Sequence, residues 1–116
     1  MFDYFTKEDL KELENIDYLE IPISFFRDKK YKHLSTESKL LYALMMDKMP
    51  LSEKENLIDD KGIAFVCFPI EEAMTLLGCG QNKAFVTYKG LEDAELIAIK
   101  TREHGLPNAI YVKNLL

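Results

Sequence analysis

The stretch "PIEEAMTLLGCGQNKAFVTYKGLEDAELIAIKT", residues 69 to 101, confines the chain to few folds. Pro69 stands near the first position of a helix, where its missing N–H is harmless. Glu71 and Glu72 suit the positive end of the helix dipole in the first turn, and Gly78 supplies a stop. After a break of about three residues a second helix is predicted, with Ala84, Tyr88 and Leu91 at i, i+4 and i+7 forming one buried stripe. Gln81, Asn82, Lys83, Val86 and Lys89 lie off that stripe and face outward. The β-prone "LIAIKT" follows directly. Two helices joined this tightly and running into a strand have the spacing of a helix-turn-helix unit.

The flanking segments complete the layout. "LIAIKT" and "AIYVKN" are two strands joined by "REHGLPN", in which Gly105 and Pro107 supply the turn. Upstream, "LSTESKLLYALMMDKM" is a helix capped by Ser35, with Glu37 favouring its first turn. Its core stripe is Leu40, Leu41, Leu44 and Met45, and Pro50 ends it. Between the helices, Asp60, Lys61 and Gly62 invite a hairpin ahead of the β-rich "IAFVCF". Near the N-terminus "YFTKEDLKELEN" reads as a short helix in which Thr6 and Asp9 make a capping-box-like pair. "YLEIPISFF" alternates Leu19, Ile21 and Ile23 as an extended strand would, and Pro22 places it at an edge.

The expected fold class is therefore α+β: a winged helix-turn-helix with a three-helix core, a β-hairpin wing and an N-terminal helix/strand extension. Residues 1–18 form an acidic helical extension, and 19–116 the winged-helix domain. At 116 residues the chain is one domain's length and buries a core without staples.

Charge distribution decides which partners are plausible. The formal net charge of −5 sits wholly in residues 1–20, where seven acids face Lys7 and Lys11. Residues 21–116 carry 13 acids and 13 bases. A locally basic face is then compatible with a phosphate partner, because the local field is what such a partner meets. Three basic groups stand out: Lys83 and Lys89 on the last helix; Lys100, Arg102, His104 and Lys113 around the wing; and "RDKKYKH" ahead of the Ser35 cap. The last group either adds phosphate contacts or is a plain solvated loop.

A helix entering the major groove offers its first residues to base edges, while loop and strand cations hold phosphates. Asn or Gln bonds bidentately to adenine, Lys reaches guanine acceptors, and Val86, or Phe85 if turned outward, meets a thymine methyl. Asn108 near the wing tip either joins that contact or stabilises its own turn. The competing reading of Gln81, Asn82 and Lys83 is a solvated helix start.

No nucleophile, base and orienter assemble into an enzyme site, and "GCGQNKA" lacks the Gly-Lys-Ser/Thr ending of a phosphate loop. Cys67 and Cys79 are expected as buried, reduced thiols. Neither His33 nor His104 has metal-ligand spacing to them, so no metal and no cofactor is expected. No apolar run reaches the length of a membrane span, and the N-terminus is too acidic for a signal peptide. A cytoplasmic protein is expected.

Three stretches together resemble a known family: "YKHLSTESKLLYALMMDKM", "IDDKGIAFVCFPIEEAMTLLGCGQNKAF" and "LEDAELIAIKTREHGLPNAIYVKN". They look like the N-terminal domain of plasmid replication initiators of the RepA N-terminal family, over about residues 19 to 114. The resemblance implies binding of double-stranded DNA at origin repeats, as a homodimer. It also implies that a separate C-terminal region outside this chain engages host replication proteins. By position, Gln81, Asn82, Lys83 and Lys89 match the recognition helix, and Lys100, Arg102 and Asn108 match the wing. Three departures accompany it. Gly80 stands where Ser commonly caps the recognition helix, Gly90 interrupts that helix, and Glu95 occupies a turn where Gly is usual. A winged-helix transcriptional regulator and a winged-helix protein-interaction module remain the alternatives. Residues 1 to 20 are expected to support a dimer contact through Phe2, Tyr4, Phe5, Leu10 and Leu13.

Overall fold

A computed structural model describes residues 3–116. Its α-helices are α1 (Ser24–Arg27), α2 (Thr36–Lys48), α3 (Ile70–Leu77) and α4 (Gln81–Asp93). Two strands follow, β1 (Ile97–Lys100) and β2 (Ala109–Val112), paired antiparallel with Ile97 opposite Val112 and Lys100 opposite Ala109. Helices α2, α3 and α4 pack pairwise, and the hairpin closes over α4 and α2. This is a winged-helix α+β fold.

Local chemistry sets the element ends. The Ser35 hydroxyl accepts from the Ser38 N–H at 3.0 Å and starts α2. Gly78 ends α3 in the left-handed region at φ 63°, where a glycine carries no Cβ penalty. Glu95 adopts the same left-handed conformation, φ 58°, at the corner between α4 and β1. The fold thus imposes there a backbone that glycine would take more easily.

The core gathers Phe25, Tyr31, Leu41, Tyr42, Met45, Val66, Phe68, Ala73, Tyr88, Leu91, Leu96, Ile97 and Ile110. The expected α4 stripe of Ala84, Tyr88 and Leu91 is buried, and Thr87 joins it. Leu40 and Leu44 lie half-buried beside the fully buried Leu41 and Met45. Tyr88 spans the helix pair by donating its hydroxyl to the Phe68 carbonyl oxygen. Burial, then Glu72 and Glu71, push its phenol pKa far up.

Several sequence expectations give way. Among the described residues, the segment around Leu19, Ile21 and Ile23 pairs with no strand and instead leads into the one-turn helix α1. Phe25 drives this outcome: it is buried edge-on against Tyr31 and Tyr42, at centroid distances of 4.9 and 5.0 Å. "IAFVCF" forms no full strand and makes only two single bridges, Ile58 to Ala64 and Val66 to Ile110. The turn before it is organised by Asp59 rather than Asp60. The Asp59 carboxylate accepts from the Lys61 and Ile63 N–H groups at 2.9 and 2.8 Å and from the Tyr111 hydroxyl at 3.0 Å. Those bonds, the Ile63 amide foremost, hold its pKa below the usual carboxylate value.

The N-terminal segment forms a 3-10 helix, Asp9–Asn15, rather than an α-helix. Thr6 and Asp9 do exchange bonds: the Thr6 N–H donates to the Asp9 carboxylate at 2.7 Å, and the Asp9 N–H donates to the Thr6 hydroxyl at 3.4 Å. Tyr4, Phe5 and Leu10 are exposed and Leu13 is half-buried, while Phe2 lies outside the described residues. Cys67 and Cys79 are free thiols, half-buried rather than buried. Among the described residues, no helix is long and apolar enough to cross a membrane.

Gly90 has a packing reason. A Cβ built on it would sit 2.8 Å from the Ser38 hydroxyl oxygen, which is itself buried and donates to the Thr87 carbonyl at 2.9 Å. In an open helix Gly→Ala would stabilise by about 1 kcal/mol. Here the new methyl of Gly90→Ala displaces the buried Ser38 hydroxyl from its bond to the Thr87 carbonyl, and a net destabilisation of about 1 to 3 kcal/mol is expected. Urea unfolding measures it. A companion Ser38→Gly change, which vacates the contacted side chain, is expected to return part of the loss.

Candidate nucleic-acid interface

Helix α4 starts at Gly80, in extended conformation and without a side-chain cap. Its first amides have no carbonyl partner one turn back, and no acid lies in its first turn. No acid of α4's own first turn therefore offsets the positive end of its dipole. Helix α3 differs, because Glu71 and Glu72 fill its first turn.

The outward row on α4 lies where its spacing predicts. Gln81, Asn82, Lys83, Phe85, Val86 and Lys89 are all exposed. Val86 and Phe85 present 68% and 60% of their surface, so two adjacent apolar side chains stand open to solvent on this row. Phe85 therefore does turn outward, and it faces the wing.

Both lysines on this row carry intramolecular partners. The Lys83 ammonium lies 3.3 Å from the Glu37 carboxylate in the first turn of α2, and Lys89 lies 3.2 Å from Asp93. Glu37 is held below the usual carboxylate pKa, first by backbone hydrogen bonding at the helix start and then by Lys83. Exposed pairs of this kind contribute about 0 to 1 kcal/mol to stability, so their interest lies in where they hold the ammonium rather than in what they add to folding.

The wing residues divide. Lys100, at the end of β1, and Lys113, just after β2, are exposed and make no ion pair among the described residues. His104 and Asn108 are exposed in the connecting loop, where Gly105 takes φ 76°. Arg102 turns back toward the core. Its Nε donates to the Pro107 carbonyl at 2.8 Å, its Nη2 to the Cys67 sulfur at 3.4 Å, and its guanidinium covers the Phe65 ring at 5.0 Å. In this arrangement Arg102 braces the wing loop rather than presenting its fork to solvent.

Between α4 and the wing runs an open cavity of about 610 Å³. Phe85, Leu106 and Pro107 form apolar walls, Gln81, Lys89 and Asn108 lie along it, and Glu71 and Glu92 contribute acids. Sequence reasoning did not foresee Leu106 or the two acids, because their meeting depends on how the hairpin folds over α4.

The third basic group lies beside the same end of the molecule. Arg27, Lys29, Lys30 and Lys32 are exposed on α1 and the 3-10 turn that follows, Lys29–Tyr31, while Tyr31 is buried. The chain then enters α2 at Ser35, and the Glu37–Lys83 pair joins that helix start to the start of α4. Two helix N-termini and the "RDKKYKH" segment are thus neighbours, which sequence spacing alone does not reveal.

Residues 17–116 match the family model described as "Replication initiator protein A (RepA) N-terminus". No curated protein matches the chain. Among solved structures, one described as "N-Terminal domain of DNA binding protein" superposes with a TM-score of 0.76 at 29% identity, covering 100% of this chain and 86% of that one. A second, "Structure of Rep-DNA complex", gives 0.75 at 30% identity, with 98% and 85% covered. A third, "Structure of MDR initiator", gives 0.72 at 28% identity, with 97% and 86% covered. With a match this long, and structural neighbours related in sequence as well as in fold, the chain belongs to the family of the replication initiator protein A N-terminus.

Proposed function

We propose that this chain is the origin-recognition domain of a plasmid-type replication initiator, binding double-stranded DNA at repeated sites in a sequence-specific way, without catalysis. The observation that carries the reading is the exposed row Gln81, Asn82, Lys83 and Val86 at an uncapped helix start beside a hairpin wing. A structural neighbour at 30% identity that is described as a Rep-DNA complex supports it.

In this reading α4 enters the major groove. Asn82 and Gln81 read adenine, Lys83 reads guanine acceptors, and Val86 and Phe85 contact thymine methyls. Lys100, Lys113 and the "RDKKYKH" cations hold the flanking phosphates, His104 and Asn108 reach the backbone from the wing tip, and Arg102 keeps that tip in place. The protein acts as a homodimer on paired sites, and host replication proteins are met by a region outside this chain.

Footprinting across the replication origin of the encoding element tests this. Protection of repeated sites, with affinity falling by roughly 0.9 log units per log unit of salt for each phosphate neutralised, is the expected result. Protection confined to a promoter would favour a transcriptional regulator.

A protein-interaction module is the second reading, favoured by the apolar cavity of about 610 Å³ and its two acids. Absence of association with random duplex at low salt would select it, since any DNA-binding face of this kind shows a nonspecific component.

A further inference from the structure

We propose that Glu37 is a positioning residue for DNA recognition: it fastens the Lys83 ammonium at the front of α4, so that Lys83 acts as a directional donor to a base edge rather than as a free phosphate contact. The inference rests on the DNA-binding reading above and adds to it a determinant of specificity from a different helix.

The geometry is the starting point. Lys83 Nζ lies 3.3 Å from Glu37 Oε2, across the junction of two helix starts, and both side chains are partly exposed. A lysine is a point charge on a flexible four-carbon stem and has little directionality of its own. Its ammonium carries three donors. With one donor held by Glu37, the remaining two have a limited range of directions. Two donors suffice for the O6 and N7 acceptors of one guanine.

Glu37 is itself well placed to hold still. It lies in the first turn of a helix whose cap bond, Ser38 N–H to Ser35 Oγ, is formed, and the following residue is anchored by the bond from Ser38 Oγ to the Thr87 carbonyl of α4. The same helix that positions the carboxylate therefore also grips the helix that carries the lysine. The carboxylate has a second effect, because it offsets a positive charge that would otherwise attract any phosphate.

The two effects act oppositely on two kinds of DNA. On random duplex, where no base edge rewards a fixed donor, the pair only withholds a cation. On a cognate duplex the fixed donor is used.

Two duplexes of equal length make the test: one enriched by the wild-type chain from a randomised pool, and one of random sequence. Glu37→Gln is expected to raise affinity for the random duplex about eightfold near 0.1 M salt and to steepen its salt slope by about 0.9, one phosphate's share of counterion release. Affinity for the enriched duplex is expected to stay level or fall, so discrimination drops by about an order of magnitude. Glu37→Asp, which keeps the charge on a shorter arm, is expected to hold the random-duplex affinity low. In a Lys83→Gln background, Glu37→Gln is expected to change neither slope nor discrimination.

An equal gain on both duplexes would mean that Glu37 merely repels DNA, and a gain that persists without Lys83 would mean the same. Either result overturns the proposal while leaving DNA binding intact. If the wild-type chain and Glu37→Gln both ignore every duplex at low salt, the DNA reading itself falls and takes this proposal with it.

Discussion

Lys83→Glu is expected to lower affinity for an origin-repeat duplex about a hundredfold. One base-edge contact from a long side chain contributes about 1 to 3 kcal/mol of discrimination, and a carboxylate brought against the duplex adds repulsion that weakens with salt. The reversal removes the cation and places a carboxylate where the duplex is most negative. It also sets that carboxylate opposite Glu37, now 3.3 Å from Lys83, so the new charge is pushed outward toward the DNA. Folding is not expected to cause the loss: the dipole gain of an acid in the first turn of α4 and the lost Glu37 pair are each about 1 kcal/mol or less and opposite in sign, so thermal stability is expected to change little. Fluorescence anisotropy at several salt concentrations reads both affinity and slope. Wild-type affinity in this variant would show that the front of α4 is not the recognition face.

The largest stability effect is expected at Tyr42. Tyr42→Ala should destabilise the domain by about 3 to 5 kcal/mol, a large part of the roughly 5 to 15 kcal/mol that holds a domain together. Its ring is buried and packs edge-on against Phe25, and so helps keep α1 on the body of the domain. Its hydroxyl donates to the Lys113 carbonyl at 2.8 Å, tying α2 to the chain just after β2. Burial also pushes the phenol pKa up, as expected for a neutral buried donor. Tyr42→Phe separates the two roles, because it keeps the ring and removes one hydrogen bond, at about 1 kcal/mol. Urea unfolding of both variants checks the ratio. Near-equal losses would mean that the hydroxyl, rather than the ring, joins these elements.

Which face of α4 is exposed was legible in the sequence. Three residues at helical spacing, Ala84, Tyr88 and Leu91, determined which side of α4 is buried, and so which side faces out. Ser35 and Gly78 announced a helix start and a helix end through chemistry contained within a few residues. The odd corner at Glu95 was also visible, since the chain needs a left-handed residue there and supplies no glycine.

What escaped the sequence is of another kind. The alternation of Leu19, Ile21 and Ile23 predicts a strand, but a strand exists only with a partner, and Phe25 found a ring pocket instead. Val66 is β-prone and gains one bridge, to Ile110 in the second half of the chain. Arg102 looks like a wing cation until Cys67, Phe65 and Pro107 converge on it.

The amino-acid order by itself determined the start of α2, the end of α3, and the buried stripe and outward row on α4, because each depends on groups within a turn or two of one another. Only the tertiary structure decided which cations are free. Lys83 meets Glu37 across 46 positions of chain, and Arg102 meets Cys67 across 35. Whether a charge is available to a partner depends on what folding sets within a few ångströms of it, and distance along the chain carries no record of that.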